Sequence, residues 1–159
     1  MKRISGRKVE NEYGVFDSEP EWLCFEQKIL PKLKSGEIVN VSLHDSFTII
    51  PSLKEKVEVQ LKTKTKIVER TVERGADYTC DYTFEVETEN GLQKHIVEFK
   101  SDYSRRFPEY GLRRKLIRKL ISEWNEEAGW EKFVFEEYRE GDLIKPPKKE
   151  RKKKVKTKK

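Results

Sequence analysis

At 159 residues, 35% hydrophobic and 40% charged, the chain is sized for one domain with a modest core under a heavily charged surface. No apolar run approaches the roughly 18 residues of a bilayer span, no apolar signal segment follows the basic N-terminus, and Cys24, Cys80, His44 and His95 are not spaced as a zinc site. These features point away from a membrane protein and a zinc module, and toward a soluble protein of the cytoplasm. The net charge of +6 is uneven: residues 145–159 hold ten Lys/Arg and one Glu, so the remaining 144 residues are slightly acidic.

Residues 1–15 read as an irregular lead-in. A helix is expected from Ser18, which can cap it, with Glu21 three residues on completing a capping box. Trp22, Phe25, Ile29 and Leu33 recur at helical spacing, and Pro31 should kink the helix or end it early. Gly36 closes the segment. Strands are expected at 38–43 and 46–50. Residues 57–61 alternate as a half-buried strand, and residues 62–74 either extend it or form an exposed ribbon. Cys24 and Cys80 read as small packing residues.

The segment 78–101 is the best defined. Tyr78, Cys80, Tyr82, Phe84 and Val86 alternate with Asp81, Thr83, Glu85 and Glu87. Asn90-Gly91 signals a hairpin turn. With those two residues as the turn, Asp81 falls opposite Lys100 and Thr83 opposite Glu98. Asp81, Glu98 and Lys100 then share one face, while Tyr82, Phe84, Val97 and Phe99 share the other. An amphipathic helix follows at about 109–127, with a stripe of Leu112, Leu116, Leu120 and Trp124 broadened by Ile117 and Ile121. Gly129 ends it, and a last strand covers 132–138.

Two carboxylates on one point repel unless a cation lies between them, and a hard cation such as Mg²⁺ prefers such oxygens. A neighbouring Lys can stabilise charge developing on a phosphoryl group. Asp on one strand with Glu-x-Lys on the next therefore suits phosphodiester hydrolysis. The competing reading is an exposed sheet face with alternating charge, on which an Asp–Lys pair contributes only about 0–1 kcal/mol.

Several pieces, in order, resemble the PD-(D/E)XK nucleases, and within them small phage and prophage members similar to Holliday-junction resolvases and restriction endonucleases. They are Phe16-Asp17-Ser18-Glu19-Pro20-Glu21, Gly36-Glu37-Ile38, Leu43-His44 with Phe47, Tyr78-Thr79-Cys80-Asp81-Tyr82, Val97-Glu98-Phe99-Lys100 and the basic helix from Leu112. The resemblance covers residues 16–138. It implies an α/β fold with a restriction-endonuclease-like α-β-β-β-α-β core, a mixed sheet flanked by helices, in a nuclease domain of residues 16–144.

By that resemblance Asp81 and Glu98 are metal ligands for Mg²⁺ or Mn²⁺, Lys100 is the catalytic lysine, and Glu21 is either a third ligand or simply the helix cap. His44 stands where the family usually has Gln, and Ser101 where Gly often follows the lysine. His44 is a candidate phosphate contact or a structural histidine. Asp77 shares a face with Asp81 but pairs beyond the strand end, which favours Asp81. Arg113, Arg114, Arg118 and Lys119 are candidate DNA contacts beside the site, with a solvated helix face as the alternative. Tyr103 and Arg105 follow the lysine strand toward the entrance.

The expected activity is a metal-dependent DNA endonuclease, with branched or structured DNA as one candidate substrate and the substrate topology left open by the sequence. The alternatives are a non-catalytic nucleic-acid-binding protein on a nuclease-like fold and a protein-targeting factor. Residues 145–159 are expected to be a disordered basic clamp on phosphates, and cutting two strands suggests a homodimer.

Overall fold

The computed structural model describes residues 7–145. The basic tail expected at 145–159 therefore lies outside the described residues except for Lys145, as does the start of the lead-in. The rest of the lead-in is not irregular. Strands β1 (Val9–Asn11) and β2 (Gly14–Phe16) form an antiparallel hairpin, which delivers Phe16, with no exposed surface, into the core.

Helix α1 (Glu19–Cys24) begins at Ser18, whose hydroxyl accepts the Glu21 N–H (3.3 Å). A π turn (Phe25–Ile29) joins it to α2 (Leu30–Ser35). Pro31 does not end the helix. The π turn widens it just ahead of the ring, which otherwise would press on a carbonyl one turn back. Gly36, at φ +79°, supplies the left-handed residue that stops α2.

The chain then runs through β3 (Val39–Leu43), β4 (Ser46–Ile50), β5 (Leu53–Gln60), β6 (Thr65–Glu73), β7 (Ala76–Thr79), β8 (Tyr82–Thr88) and β9 (Gly91–Lys100). Helix α3 (Pro108–Ala128) follows, and β10 (Phe133–Arg139) completes a four-stranded sheet in the order β10-β9-β8-β3. Strands β3, β8 and β9 are antiparallel, and β10 lies parallel to β9. The fold is thus mixed α/β with a mixed sheet. No helix among the described residues is long and apolar enough to cross a membrane.

Each face of the sheet has its own core. Tyr82, Phe84, Val97 and Phe99 pack with Phe16, Cys24, Phe25 and Ile29 from the N-terminal hairpin and helix. Ile96 packs with Tyr78, Cys80 and with Ile117 and Ile121 of α3. Both cysteines are buried and free, one in each core. The buried side of α3 is Tyr110, Ile117 and Ile121, and Leu112, expected in the stripe, is 60% exposed. Helical spacing alone located an apolar arc; the half-buried Arg114 and the aromatic Tyr110 shift its centre.

Two features of the predicted hairpin differ. Thr88 pairs with Gly91 and Tyr82 with Val97, so the turn residues are Glu89-Asn90 and each partner moves by two. A two-residue Asn-Gly turn of the usual kind needs positive φ at both residues. Only Gly91 has it, at +117°, so the turn centres one residue earlier. A shift of two leaves every side chain on its predicted face. Second, residues 78–86 are not one strand. The ladder breaks at Cys80-Asp81 opposite His44-Asp45, held by His44 N–H to Asp81 O (3.1 Å) and Cys80 N–H to Asp45 O (3.0 Å). His44 is in the left-handed region at φ +57°. The break sends Tyr78 and Cys80 into one core and Tyr82 and Phe84 into the other.

Strand 57–61 is not half-buried. Residues 57–60 belong to β5, which among the described residues pairs with β6 alone, in a two-stranded ribbon exposed along nearly its whole length. Tyr82 illustrates how the helix is tied down: its hydroxyl donates to the Glu21 carbonyl (2.5 Å). Tyr82→Phe is expected to lower stability by only about 1 kcal/mol in urea unfolding, because that carbonyl keeps the Phe25 N–H.

Candidate active site

The ladder break brings together the end of β3, the start of α1 and the C-terminal end of β9. Glu21, nearly fully buried, does not close the expected capping box: its carboxylate turns to the Asp17 amide and to His44 instead of the Ser18 N–H. Its Oε2 accepts the Asp17 N–H (2.9 Å), while Oε1 lies 3.0 Å from His44 Nε2. Asp17 Oδ2 is 4.0 Å from the same imidazole nitrogen. Asp17, Glu21 and His44 offer three ligand atoms within 4.8 Å of one another.

Asp81 brackets Glu98. Its N–H donates to Val97 O (3.1 Å), and its Oδ2 accepts the Phe99 N–H (2.6 Å). The carboxylate thus occupies the place a strand partner would take. Glu98 is 3% exposed. One of its oxygens accepts the Tyr78 hydroxyl (2.5 Å), and the other meets Lys100 Nζ. Lys100 also lies over the Tyr110 ring, 5.0 Å from its centre. Lys100 therefore pairs with Glu98, not with Asp81 as the expected register had it.

Burial pushes the Asp81 carboxyl well above its ordinary value, and the negative charges of Glu98 and Glu21 add to the rise against Lys100 and the Phe99 amide. Glu21 is raised by burial too, against the hydrogen bond from His44. The three buried or half-buried carboxylates share one lysine and one imidazole.

Glu137 gives the contrast. It is the β10 neighbour of Glu98, and burial alone would raise it, but the Tyr110 hydroxyl, Arg105 and Arg114 hold it below the usual range. Arg105 Nε is 2.7 Å and Arg114 Nη1 3.4 Å from its oxygens. The cluster around Asp81 has no such compensation.

Of the predicted residues, Glu21 meets His44, and Glu98 meets Lys100 beside Asp81; among the described residues only Asp17, Glu21 and His44 bring three ligand atoms within 4.8 Å of one another, so the expected ligand set of Asp81, Glu98 and Glu21 does not close on one point. The DNA-contact candidates diverge. Arg114 is committed to Glu137. Arg113 donates to Asp77 O (3.2 Å) from an exposed position, Arg118 lies over Phe135 (6.0 Å), and Lys119 pairs with Glu123 (3.4 Å). Asp77 is bonded to Thr48 on the β4–β7 pair, away from the cluster. Tyr103 is 65% exposed and packs edge-on against Phe107.

Asp17, Tyr78, Tyr110 and Glu137 were missed as site residues. Asp17 adjoins the predicted cap and Glu137 sits at the same parity in β10 as Glu98 in β9, so a signal existed for both. Tyr78 reached the site only through the ladder break. Comparison with protein-family models, curated proteins and solved structures finds no match to this chain.

Proposed function

We propose that the protein is a metal-dependent deoxyribonuclease of the PD-(D/E)XK kind, hydrolysing phosphodiester bonds with Asp81, Glu98 and Lys100 and with Glu21 completing the acidic site. The observation that carries this reading is the desolvated carboxylate cluster Glu21–Asp81–Glu98 with too little positive charge to balance it. A chain does not gain stability from such an arrangement by itself. The order α1, β3, β8, β9, α3, β10 supports the restriction-endonuclease-like core, with the β4–β7 excursion inserted between its first two strands.

The donor set fits a hard divalent cation: carboxylate oxygens dominate, and the single imidazole of His44 is tolerated by Mn²⁺ as well as favoured by softer ions. When bound, Mg²⁺ or Mn²⁺ supplies Lewis acidity toward a phosphodiester. Lys100 provides the fixed positive charge for a pentavalent phosphorus, oriented by Glu98 and the Tyr110 ring. Tyr78 holds Glu98, and the Phe99 amide holds Asp81. Among the described residues Asp17, Glu21 and His44 are the one group whose ligand atoms lie within 4.8 Å of one another, which makes them a candidate seat for a cation, and the His44 amide ties that loop to the Asp81 carbonyl.

A second reading is favoured by one detail. Both Glu98 oxygens are engaged by Tyr78 and Lys100, which suits a closed ion pair in a binding protein on a nuclease-like fold. Incubation of the full chain with supercoiled, linear and branched DNA, with Mg²⁺, Mn²⁺ or chelator, separates the two. Cleavage that appears only with metal is expected. Salt-sensitive binding with no cleavage on any substrate would sink the nuclease reading and leave the second.

A further inference from the structure

We infer that the β5–β6 ribbon is a DNA-binding arm that enters the major groove of a duplex. It follows β4 and precedes β7 in the chain and forms a two-stranded sheet of its own. A two-stranded ribbon with no third strand is marginal in water by itself. Here it pairs over eight positions, from Leu53↔Glu73 to Gln60↔Thr65, with no other strand on either edge among the described residues.

Its charge selects the partner. Residues 53–74 hold seven Lys/Arg and four Glu, and the segment 59–68 holds Lys62, Lys64 and Lys66 with no acidic residue. The Leu61 N–H donates to Lys64 O (2.9 Å), so Lys62 and Thr63 stand at the tip. Lys54–Glu69, at 3.7 Å near the base, is the ribbon's one ion pair among the described residues. The three tip lysines are thus uncompensated. A second copy of the chain would set one basic tip against another, whereas a phosphate backbone is attracted to both.

Geometry selects the duplex. The eight residues of β5 span about 27 Å, roughly four-fifths of a B-DNA turn of about 34 Å, and the B-DNA major groove admits a two-stranded ribbon. The deep, narrow major groove of A-form RNA does not. The register places Val57, Val59 and Val68 together on one face of the ribbon, and Lys56, Glu58, Ile67 and Glu69 on the other. The ribbon can therefore lay one face toward base edges while the tip lysines meet phosphates.

The test uses the full-length chain in chelator, so that binding is read without cleavage. Anisotropy of a labelled DNA duplex of about 30 base pairs is titrated at several salt concentrations, for wild type and for Lys62→Gln/Lys64→Gln/Lys66→Gln. The wild-type plot of log K against log salt is expected to be steeper than the variant's by roughly 2 to 3, close to one unit per lost phosphate contact. Equal slopes and affinities for the two proteins would overturn the inference. So would the same loss on duplex RNA, which would make the contact one to any phosphate surface. Sedimentation of wild type and Val57→Asp/Val68→Asp covers the remaining occupant: a dimer abolished by that variant, with DNA binding unchanged, also overturns it. Because no metal is present, a failure of the nuclease reading would leave these results untouched.

Discussion

Lys100→Ala and Asp81→Asn are each expected to lower metal-dependent DNA cleavage by roughly two to three orders of magnitude, with opposite effects on the metal-free protein. Lys100→Ala leaves Glu98 buried without its cation, which destabilises. The loss should fall below the ~3–5 kcal/mol of a fully buried pair, because Lys100 keeps a quarter of its side chain in water. Asp81→Asn removes one negative charge from a site that repels it. The metal-free variant should therefore melt higher than wild type, provided the amide still accepts the Phe99 N–H through its oxygen.

The pH dependence has a definite sign. Asp81 and Glu21 are raised above ordinary values of 3.8 and 4.5, so between those values and the raised ones the folded state holds more protons than the unfolded state. Stability from these groups then falls as pH rises. The metal-free wild type should therefore lose stability as pH rises through the raised values of Asp81 and Glu21, and Mg²⁺ or Mn²⁺ should recover that loss at the higher pH. Asp45 and Glu137, held low by their hydrogen bonds and cations despite burial, contribute stability that is lost only at more acid pH. Differential scanning fluorimetry across pH, with and without metal, reads all of this. A wild-type melting temperature that rises as pH passes through those raised values without metal would refute the repulsive cluster.

Phe25→Ala should cost about 3–5 kcal/mol and should also weaken metal binding. Phe25 is 1% exposed and touches the rings of Tyr13, Phe16, Trp22 and Tyr82. Those contacts tie the helical segment carrying Glu21 to the N-terminal hairpin on one side and to β8 on the other. A cavity there lets α1 shift, and Glu21 with it, while Asp81 and Glu98 stay fixed by the sheet. Urea unfolding should show the stability loss, and the metal-induced rise in melting temperature should shrink beyond what that loss explains. An undiminished metal response would mean that Glu21 is not a ligand.

Much of the fold could be read from local pattern. Ser18 and Gly36 bracket the N-terminal helix, Gly129 ends α3, and the alternation of residues 92–100 assigns each side chain of β9 to a face. The shared face of Glu98 and Lys100 follows from that alternation alone, because a strand has period two whatever its register. The partners across the strands were not legible in the same way. They depended on which of three polar residues, Glu89, Asn90 or Gly91, turned the chain, and a single positive φ at Gly91 decided it.

The amino-acid sequence by itself determined the helices, the β9 strand with its two faces and the short set of acids and one lysine proposed for the chemistry, since these depend on interactions between near neighbours in the chain. Tertiary structure alone decided that the strand through Cys80 and Asp81 breaks, that Lys100 pairs with Glu98, and that Glu21 joins His44 and Asp17. The reason is physical: the break exists because two cores on opposite sides of one sheet both claim residues from the same strand. It turns Asp81 out of the ladder and onto the Phe99 amide, next to Glu98. The exposure of the β5–β6 ribbon is of the same kind, because alternation predicts a face but only packing says whether anything covers it.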